Sequence, residues 1–457
     1  MKFDLLVRNG KVVTATKILN ADLGIKDGKV AGILLNLEDV DADADKIIDA
    51  SGKYLLPGGI DPHVHGGHGD PDRETLYNVT MAAATGGITT ILEQPLSTPS
   101  TVTLKAYNDK KDAAIKECVT DFGLWGGLVP GNFDELEGLY EVGGQAYKSF
   151  MCRCSNYPMT DDGTLLKGMK KIGELGGLVA VHAENDTLIQ QLVDDFRAEG
   201  KNDVESFIDS HPPYSELEAI ERFIFIAKQA PDCKAHVVHM SIPQGAEAIK
   251  RAKEAGIDIT VETCPQYLGL NEDDLRRIGG NAKCDPPVRP QELVDRLWDY
   301  VLNGTIDMLA SDHSPHTFDK KVVPENEFGR ASEGVTGVQV LLPVVLTEGV
   351  HKRGMSLSRL TEIFSLNPAK RFGLYPEKGS LEIGADADFV ILDLDREWVC
   401  KAKDMHYLNK HTPYDGRIFK GFIEKTYIRG NLVCDNNEIK VERGFGEFVP
   451  MKIGENN

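Results

Sequence analysis

Short apolar runs separated by tight-turn pairs fill residues 1–55, where Asn9-Gly10, Asp27-Gly28 and Ser51-Gly52 punctuate β-rich stretches such as Lys46-Ile47-Ile48-Asp49-Ala50. Such pairs tolerate positive φ, and between β-rich runs they predict hairpins of a small antiparallel sheet. The same texture returns from Gly384 to Asp393 and from Lys425 through Gly430-Asn431 to Cys434. Two β-rich ends of this kind can pair into one small domain. Between them the pattern alternates. Thr89–Leu92, Gly123–Val129, Ala146–Cys152, Leu178–His182, Ala235–His239, Ile257–Thr263 and Met308–Ser311 read as strands, and Tyr54–Leu56 as a short apolar strand before them. Thr164–Leu175, Leu217–Gln229, Gly245–Ala255 and Gln291–Asn303 carry helical periodicity. Repeated β-then-α units, about eight of them, favour a closed parallel barrel with its chemistry at the carboxyl ends of the strands. No internal repeat or low-complexity segment points to another architecture.

Composition narrows the function classes. A chain of 457 residues, 41% hydrophobic and 27% charged, has enough material for a large α/β domain with a catalytic cleft. It has no run of about 18 apolar residues that would span a bilayer, so no membrane association is expected. The opening, Met1 to Gly10, places an acid inside its short apolar run, unlike a secretory leader, and a cytoplasmic location is expected. Eight cysteines without a Cys-x-x-Cys pair fit reduced thiols, and packing is the expected role of Cys152 and Cys154. A net charge of −20 argues against nucleic acid as a partner and leaves a small molecule as the default substrate.

Chemistry concentrates where the barrel pattern places strand ends. In Gly58-Gly59-Ile60-Asp61-Pro62-His63-Val64-His65 the two imidazoles are two residues apart, on one face of an extended chain, where one cation can take both. An isolated pair of this kind is equally a pair of surface histidines, but this pair has company. Lys148 lies in Ala146–Met151, His182 ends Gly176–His182, His239 ends Ala235–His239, and Asp312 ends Asp307–Asp312. By strand alternation His236 and His239 point in different directions, which leaves His236 structural.

Several longer motifs accompany these residues: Val7–Val13, Pro57–His65, Val181-His-Ala-Glu-Asn185, Glu262-Thr-Cys-Pro-Gln-Tyr-Leu268, Ser311-Asp-His-Ser-Pro315 and Lys378–Asp388. With them the chain resembles the cyclic amidohydrolases, the branch of the amidohydrolase superfamily that includes allantoinase, hydantoinase (dihydropyrimidinase) and dihydroorotase. The resemblance implies an α/β fold, a (β/α)8 TIM-like barrel over residues 56–374, with a small β-sandwich made from 1–55 and 375–457 and a homotetrameric assembly. It also implies two divalent metal ions, usually Zn²⁺, with His63, His65 and Asp312 on one and His182 and His239 on the other. Lys148, carboxylated to N6-carboxylysine, would bridge them, since an uncharged or cationic amine cannot. A hydroxide shared by two cations is a nucleophile near neutral pH, and Asp312 would serve as general base and then acid in opening a cyclic amide.

Departures from the family pattern bear on the substrate. The position where dihydroorotases carry a carboxylate-gripping Arg is Gly67, within the glycine-rich loop Gly66–Asp70. A ring-binding Tyr of hydantoinases corresponds to Arg153, and a Ser before the Pro-Pro pair to Asp285. Both are candidate substrate contacts, or alternatively members of a mutual or local ion pair. Gly334 and Thr336 would line the pocket, largely through backbone groups. Leu302–Asp307 and Thr412–Gly416 resemble allantoinase most, making allantoin hydrolysis to allantoate the first expectation. A hydantoinase acting on another cyclic ureide or imide comes second. A noncatalytic scaffold is the remote alternative, disfavoured by the intact ligand set.

Overall fold

The computed structural model describes residues 2–35, 43–154 and 157–454. At its centre eight parallel strands close into a barrel. Gly59–Val64 pairs with Ile88–Glu93, which pairs with Asp121–Leu124. That third strand bends at Trp125 and continues as Gly126–Gly127, alongside Ala146–Phe150. Leu178–His182, Lys234–Val237, Ile259–Thr263 and Met308–Leu309 follow in parallel register. The circle closes where the His65 backbone N–H donates to the His313 carbonyl at 2.8 Å. Strands such as Ala146–Phe150 and Leu178–His182 are buried at every position. This explains why they read as continuous apolar runs rather than alternating ones. Fully buried Trp125 ties the first and third strands together through an Nε1–H bond to the Pro62 carbonyl at 2.9 Å.

Helices pack around the barrel with their apolar stripes inward. In Asp162–Glu174 the buried positions include Leu165, Met169 and Ile172, the spacing of one helix face, and Asp161 caps the start by accepting the Thr164 N–H at 2.7 Å. Among the described residues no helix is long and apolar enough to cross a membrane.

The two ends of the chain meet in a second, mostly antiparallel sheet. Tyr54–Pro57 lies between Lys11–Val13 and the late strand Phe389–Val399, so N- and C-terminal segments share one ladder. Its core includes Val7, Leu23, Leu55 and Ile391, with Phe389 stacked on Tyr427 at 4.4 Å. Two local expectations are corrected here. Tyr54–Leu56 belongs to this sheet, and the histidine pair is carried by the next strand, Gly59–Val64. Asn9-Gly10 is a bulge rather than a hairpin turn: Phe3–Arg8 and Lys11–Val13 both pair with the single long strand Ile18–Lys26. Asp22 takes the Asn9 N–H and holds the kink. Asp27-Gly28 and Arg429-Gly430 do turn hairpins, with positive φ at all four residues.

Opposite the ligand-bearing end, the barrel base is sealed by later chain. The Phe122 N–H donates to the Glu447 carbonyl at 2.9 Å, the Val449 N–H to the Phe122 carbonyl at 2.7 Å, and the Met451 N–H to the Gly143 carbonyl at 3.2 Å. Beside them buried Lys378 bonds Asp121 at 2.7 Å, Asp386 at 2.9 Å and Asp388 at 2.8 Å, joining barrel and end sheet.

Candidate metal centre

The strand ends bring the six expected ligands to one cavity of about 460 Å³. His63 lies within the first strand and His65 just beyond it. Lys148 is central in Ala146–Phe150, His182 is the last residue of its strand, and His239 and Asp312 fall in the turns after theirs. All six are buried. His63 Nε2 is 3.2 Å from His65 Nε2, and Asp312 Oδ1 is 3.2 Å and 3.3 Å from those two nitrogens. Lys148 Nζ is 3.5 Å from His63 Nε2, and the His182 and His239 rings meet edge-on at 4.5 Å. Two imidazole nitrogens and a carboxylate oxygen converging this closely suit one cation, and His182 and His239 beside Lys148 suit a second.

Burial, ahead of neighbouring charges, pushes the histidines down: His65 and His182 to about 4, His63 and His239 well below their usual range. Neutral imidazoles are the ligand form. Burial also lowers Lys148 to about 8, and among the described residues no carboxylate pairs with its ammonium. His239 and Asp312 both hold positive φ, 40° and 46°. This sparsely populated region is tolerated where surrounding bonds over-determine it. Those bonds are the His239 N–H to Glu262 at 3.2 Å and the Ser311 N–H to Asp61 at 3.0 Å.

Three acids that sequence reasoning passed over orient the ligands. Glu262 accepts from His63 Nδ1–H at 2.5 Å, which turns Nε2 toward the cavity, and its other oxygen meets His236 Nε2 at 3.1 Å. His236 is thereby structural, as its strand direction predicts. Glu184 holds His182 Nε2 at 2.7 Å, leaving Nδ1 for the site. Asp61 accepts the backbone N–H groups of His63 and Ser311 and so ties the first strand to the last. Ligand-orienting carboxylates of this kind fix tautomer and ring angle. The signal was present in the sequence, since Glu184 and Glu262 lie inside motifs already noted, but neither ends a strand.

The expected substrate contacts spread across the cavity mouth. Arg153 is 65% exposed at its side chain and pairs with Asp186 at 3.0 Å, so an ion pair with Asp285 is not formed. Asp285 lines the cavity with Oδ1 buried and without a hydrogen-bond partner, and burial pushes its carboxyl well up. Gly334 lines it as well, at φ 130°. The Thr336 hydroxyl turns instead to the His411 carbonyl at 3.2 Å. Asp70, Arg73, Ser314, His316, Lys320 and Glu333 complete a predominantly polar mouth.

Comparison with known proteins agrees with this geometry. Residues 54–433 match the amidohydrolase family. An L-hydantoinase of Paenarthrobacter aurescens is 40% identical, covering 98% of each chain. An allantoinase of Rubrobacter xylanophilus is also 40% identical, over 98% of this chain and 97% of its own. Among solved structures, an L-hydantoinase (dihydropyrimidinase) from Arthrobacter aurescens superposes with a TM-score of 0.94 at 40% identity, covering 98% of this chain and 100% of that one. A D-hydantoinase reaches 0.90 at 33% identity, covering 98% and 99%.

Proposed function

The chain belongs to the amidohydrolase family and hydrolyses C–N bonds of cyclic amides, and from that premise we propose that its substrate is allantoin, opened to allantoate. The observation that carries this choice is the polar mouth. Asp70, Arg73, Arg153, Asp285, His316, Lys320 and Glu333 line the cavity and outnumber its apolar residues, which are Leu96, Phe150 and three cysteines, Cys152, Cys154 and Cys284. A ureido-substituted ring suits such a lining better than an alkyl or aryl hydantoin, which needs apolar surface to bury. Hydantoin hydrolysis is the second reading, favoured by the TM-score of 0.94 to an L-hydantoinase.

His63, His65 and Asp312 would hold one divalent ion and His182 and His239 another, with Zn²⁺ suiting this donor set and Mn²⁺ or Co²⁺ able to replace it. Bound there, such ions would acidify the attacking water and polarise the scissile carbonyl. The support for N6-carboxylysine at Lys148 is a buried amine that, among the described residues, hydrogen-bonds only an imidazole nitrogen, at 3.5 Å. Addition of CO₂ to the neutral amine, with release of a proton, would replace the ammonium cation by an anionic carbamate able to serve as a metal ligand. Asp312 takes the proton of the attacking water and delivers it to the leaving ring nitrogen, a role its place beside both imidazoles allows. Glu262 and Glu184 hold the rings through the cycle, while Arg153 at the exposed rim and the Gly334 backbone meet the incoming ring. A homotetramer working in the cytoplasm completes the proposal. Its eight cysteines, all free thiols, suit a reducing compartment.

The deciding experiment measures bound metal per chain and screens allantoin, hydantoin, dihydrouracil and dihydroorotate. Allantoin should give the highest kcat/KM with up to two ions bound. A higher kcat/KM on hydantoin transfers the assignment to the second reading.

A further inference from the structure

The segment between His65 and the helix Leu76–Thr85 folds back over the metal end of the barrel. Gly67 and Gly69 make that fold at φ 68° and 82°, and a Cβ on Gly69 would fall 2.0 Å from the Thr98 carbonyl oxygen. The segment delivers Arg73 to the cavity wall. Its Nε donates to the Pro315 carbonyl at 2.5 Å and its Nη2 to Ser314 Oγ at 2.6 Å. Both acceptors lie on the loop that follows Asp312. Two anchors fix the plane of the guanidinium, and among the described residues Nη1 donates to no protein acceptor.

What sets this guanidinium apart is its missing counter-ion. Among the described residues no carboxylate lies within ion-pair distance of it. Glu74, next in sequence, accepts the Leu408 N–H at 3.1 Å and 3.3 Å, and Asp312 faces His63 and His65. Arg289, the buried arginine of this barrel end, is by contrast fully matched, whereas Arg73 is half-buried. Arg289 bonds Glu216 at 2.9 Å, the His211 carbonyl at 2.6 Å and Ser241 Oγ at 3.0 Å. A cation taken from water without an anion is costly unless a partner arrives later. Burial accordingly depresses the Arg73 pKa, with Asp70, Asp312 and Glu74 opposing it only from a distance. An immobilised planar fork with a donor open to the cavity is built for an oxygen acceptor.

Deepening the cyclic-amide reading and resting on it, we infer that Arg73 is the specificity-determining residue that binds an oxygen of the substrate's exocyclic group, a ureido carbonyl or a carboxylate. The shared chemistry is an acceptor oxygen carried off the ring. Unsubstituted and alkyl rings lack one. Arg73 then shares the cavity lining with the exposed Arg153, and it is the half-buried, doubly anchored residue of the two that selects.

The test compares wild-type, Arg73→Met and Arg73→Lys holoenzymes on three rings: allantoin with a neutral ureido group, hydantoin-5-acetate with an anion, and hydantoin with neither. Arg73→Met should raise KM on the first two by about 10- to 100-fold, the worth of a charged hydrogen bond, and change hydantoin by less than about threefold. Whichever substituted ring falls further identifies the acceptor. Arg73→Lys keeps the charge but not the fork, and should lose about three- to tenfold of the same discrimination with metal content intact. A second readout, calorimetric binding of hydantoin-5-acetate and hydantoin to protein carrying Asp312→Asn, reports on Arg73 even if no ring is turned over. Failure of all hydrolysis would thus sink the enzymatic reading alone. Equal losses on all three rings in both Arg73 variants, or equal calorimetric affinity for the two hydantoins with and without Arg73, would reduce Arg73 to a clamp on Ser314 and Pro315 and overturn the inference.

Discussion

Two carboxylate-bearing clusters at opposite ends of the same barrel have nearly the same outline and opposite contents. At the mouth His63, His65 and Asp312 bring their ligand atoms within 4.8 Å of one another, and at the base Asp121, Asp386 and Asp388 do so too. Taken as geometry alone, either would hold a metal ion. At the base, however, the centre is taken: Lys378 Nζ reaches all three carboxylates at 2.7–2.9 Å, and Arg429 adds a further bond to Asp121. At the mouth, among the described residues, no lysine or arginine forms an ion pair with Asp312, and Lys148 stands beside an imidazole rather than a carboxylate. Convergent donors therefore mark an ion site only when the protein has not supplied the cation itself.

The strongest way to break this comparison is to remove divalent ions. Exhaustive chelation should lower hydrolysis by about three orders of magnitude or more, since water activation resides there, while far-UV circular dichroism stays unchanged. Full activity in metal-free protein would mean that the mouth, like the base, needs no ion. Next comes Lys148→Met, expected to lose the second ion and about 10²- to 10³-fold in kcat, with partial recovery when a short carboxylic acid is added. Lys148→Arg with normal metal content and rate would exclude a bridging carbamate.

Lys378→Met examines the other end. Leaving three buried carboxylates without their cation should cost about 3–5 kcal/mol, read as a fall in Tm, with kcat/KM retained at permissive temperature. The deficit should shrink as pH falls, because protonating the carboxylates removes their mutual repulsion. In the intact protein the sign is reversed. Asp386 is held below its usual range chiefly by Lys378 and Lys29 against the opposing effect of burial, so its contribution is present above the ordinary carboxylate pKa and is lost as pH falls through the lowered one. If the two clusters truly differ only by the built-in cation, millimolar Ca²⁺ should raise the Tm of Lys378→Met more than that of wild type.

Glu262→Gln should weaken metal affinity by about 10- to 100-fold through loss of the His63 tautomer, measured by competition with a chelator. The smallest effect belongs to Arg153→Ala. Its side-chain pair, worth about 0–1 kcal/mol, joins an exposed guanidinium to a buried Asp186 that keeps the Arg153 N–H as a donor, so kcat/KM should change by less than about fivefold. A much larger loss would shift substrate selection from the half-buried guanidinium to the exposed one.

What the sequence revealed and what it hid divide along distance in the chain. His63, His65 and His182 were legible because each sits at or near the end of an apolar run whose period states its direction. The barrel was legible because β-then-α spacing repeats. Glu262 and Arg73 were not, because their meaning depends on partners 199 and 241 positions away, which local pattern does not encode. Arg153 shows the converse: prominent by its place after Lys148, it lines the cavity mouth and also pairs with Asp186, a partner 33 positions away that local pattern does not encode. Asn9-Gly10 has a strong turn signal, yet the long partner strand Ile18–Lys26 pairs on both sides of it and makes it a bulge.

The segment that seals the barrel base carries a consequence for how the molecule is made. Residues 447–453 cover strand starts at Phe122 and just before Ala146, and the Ile453 N–H donates to Gln145. Tyr54–Pro57 likewise waits for Phe389–Val399 to complete its ladder. On a ribosome these early strands emerge more than 300 residues before their partners, so the nascent chain carries an open base and an unfilled sheet edge over that whole interval. Such edges are aggregation-prone, and contacts this remote close slowly. Final locking therefore waits until residues 447–453 have emerged, and arresting synthesis at about residue 440 should leave a chain that remains bound by holding chaperones.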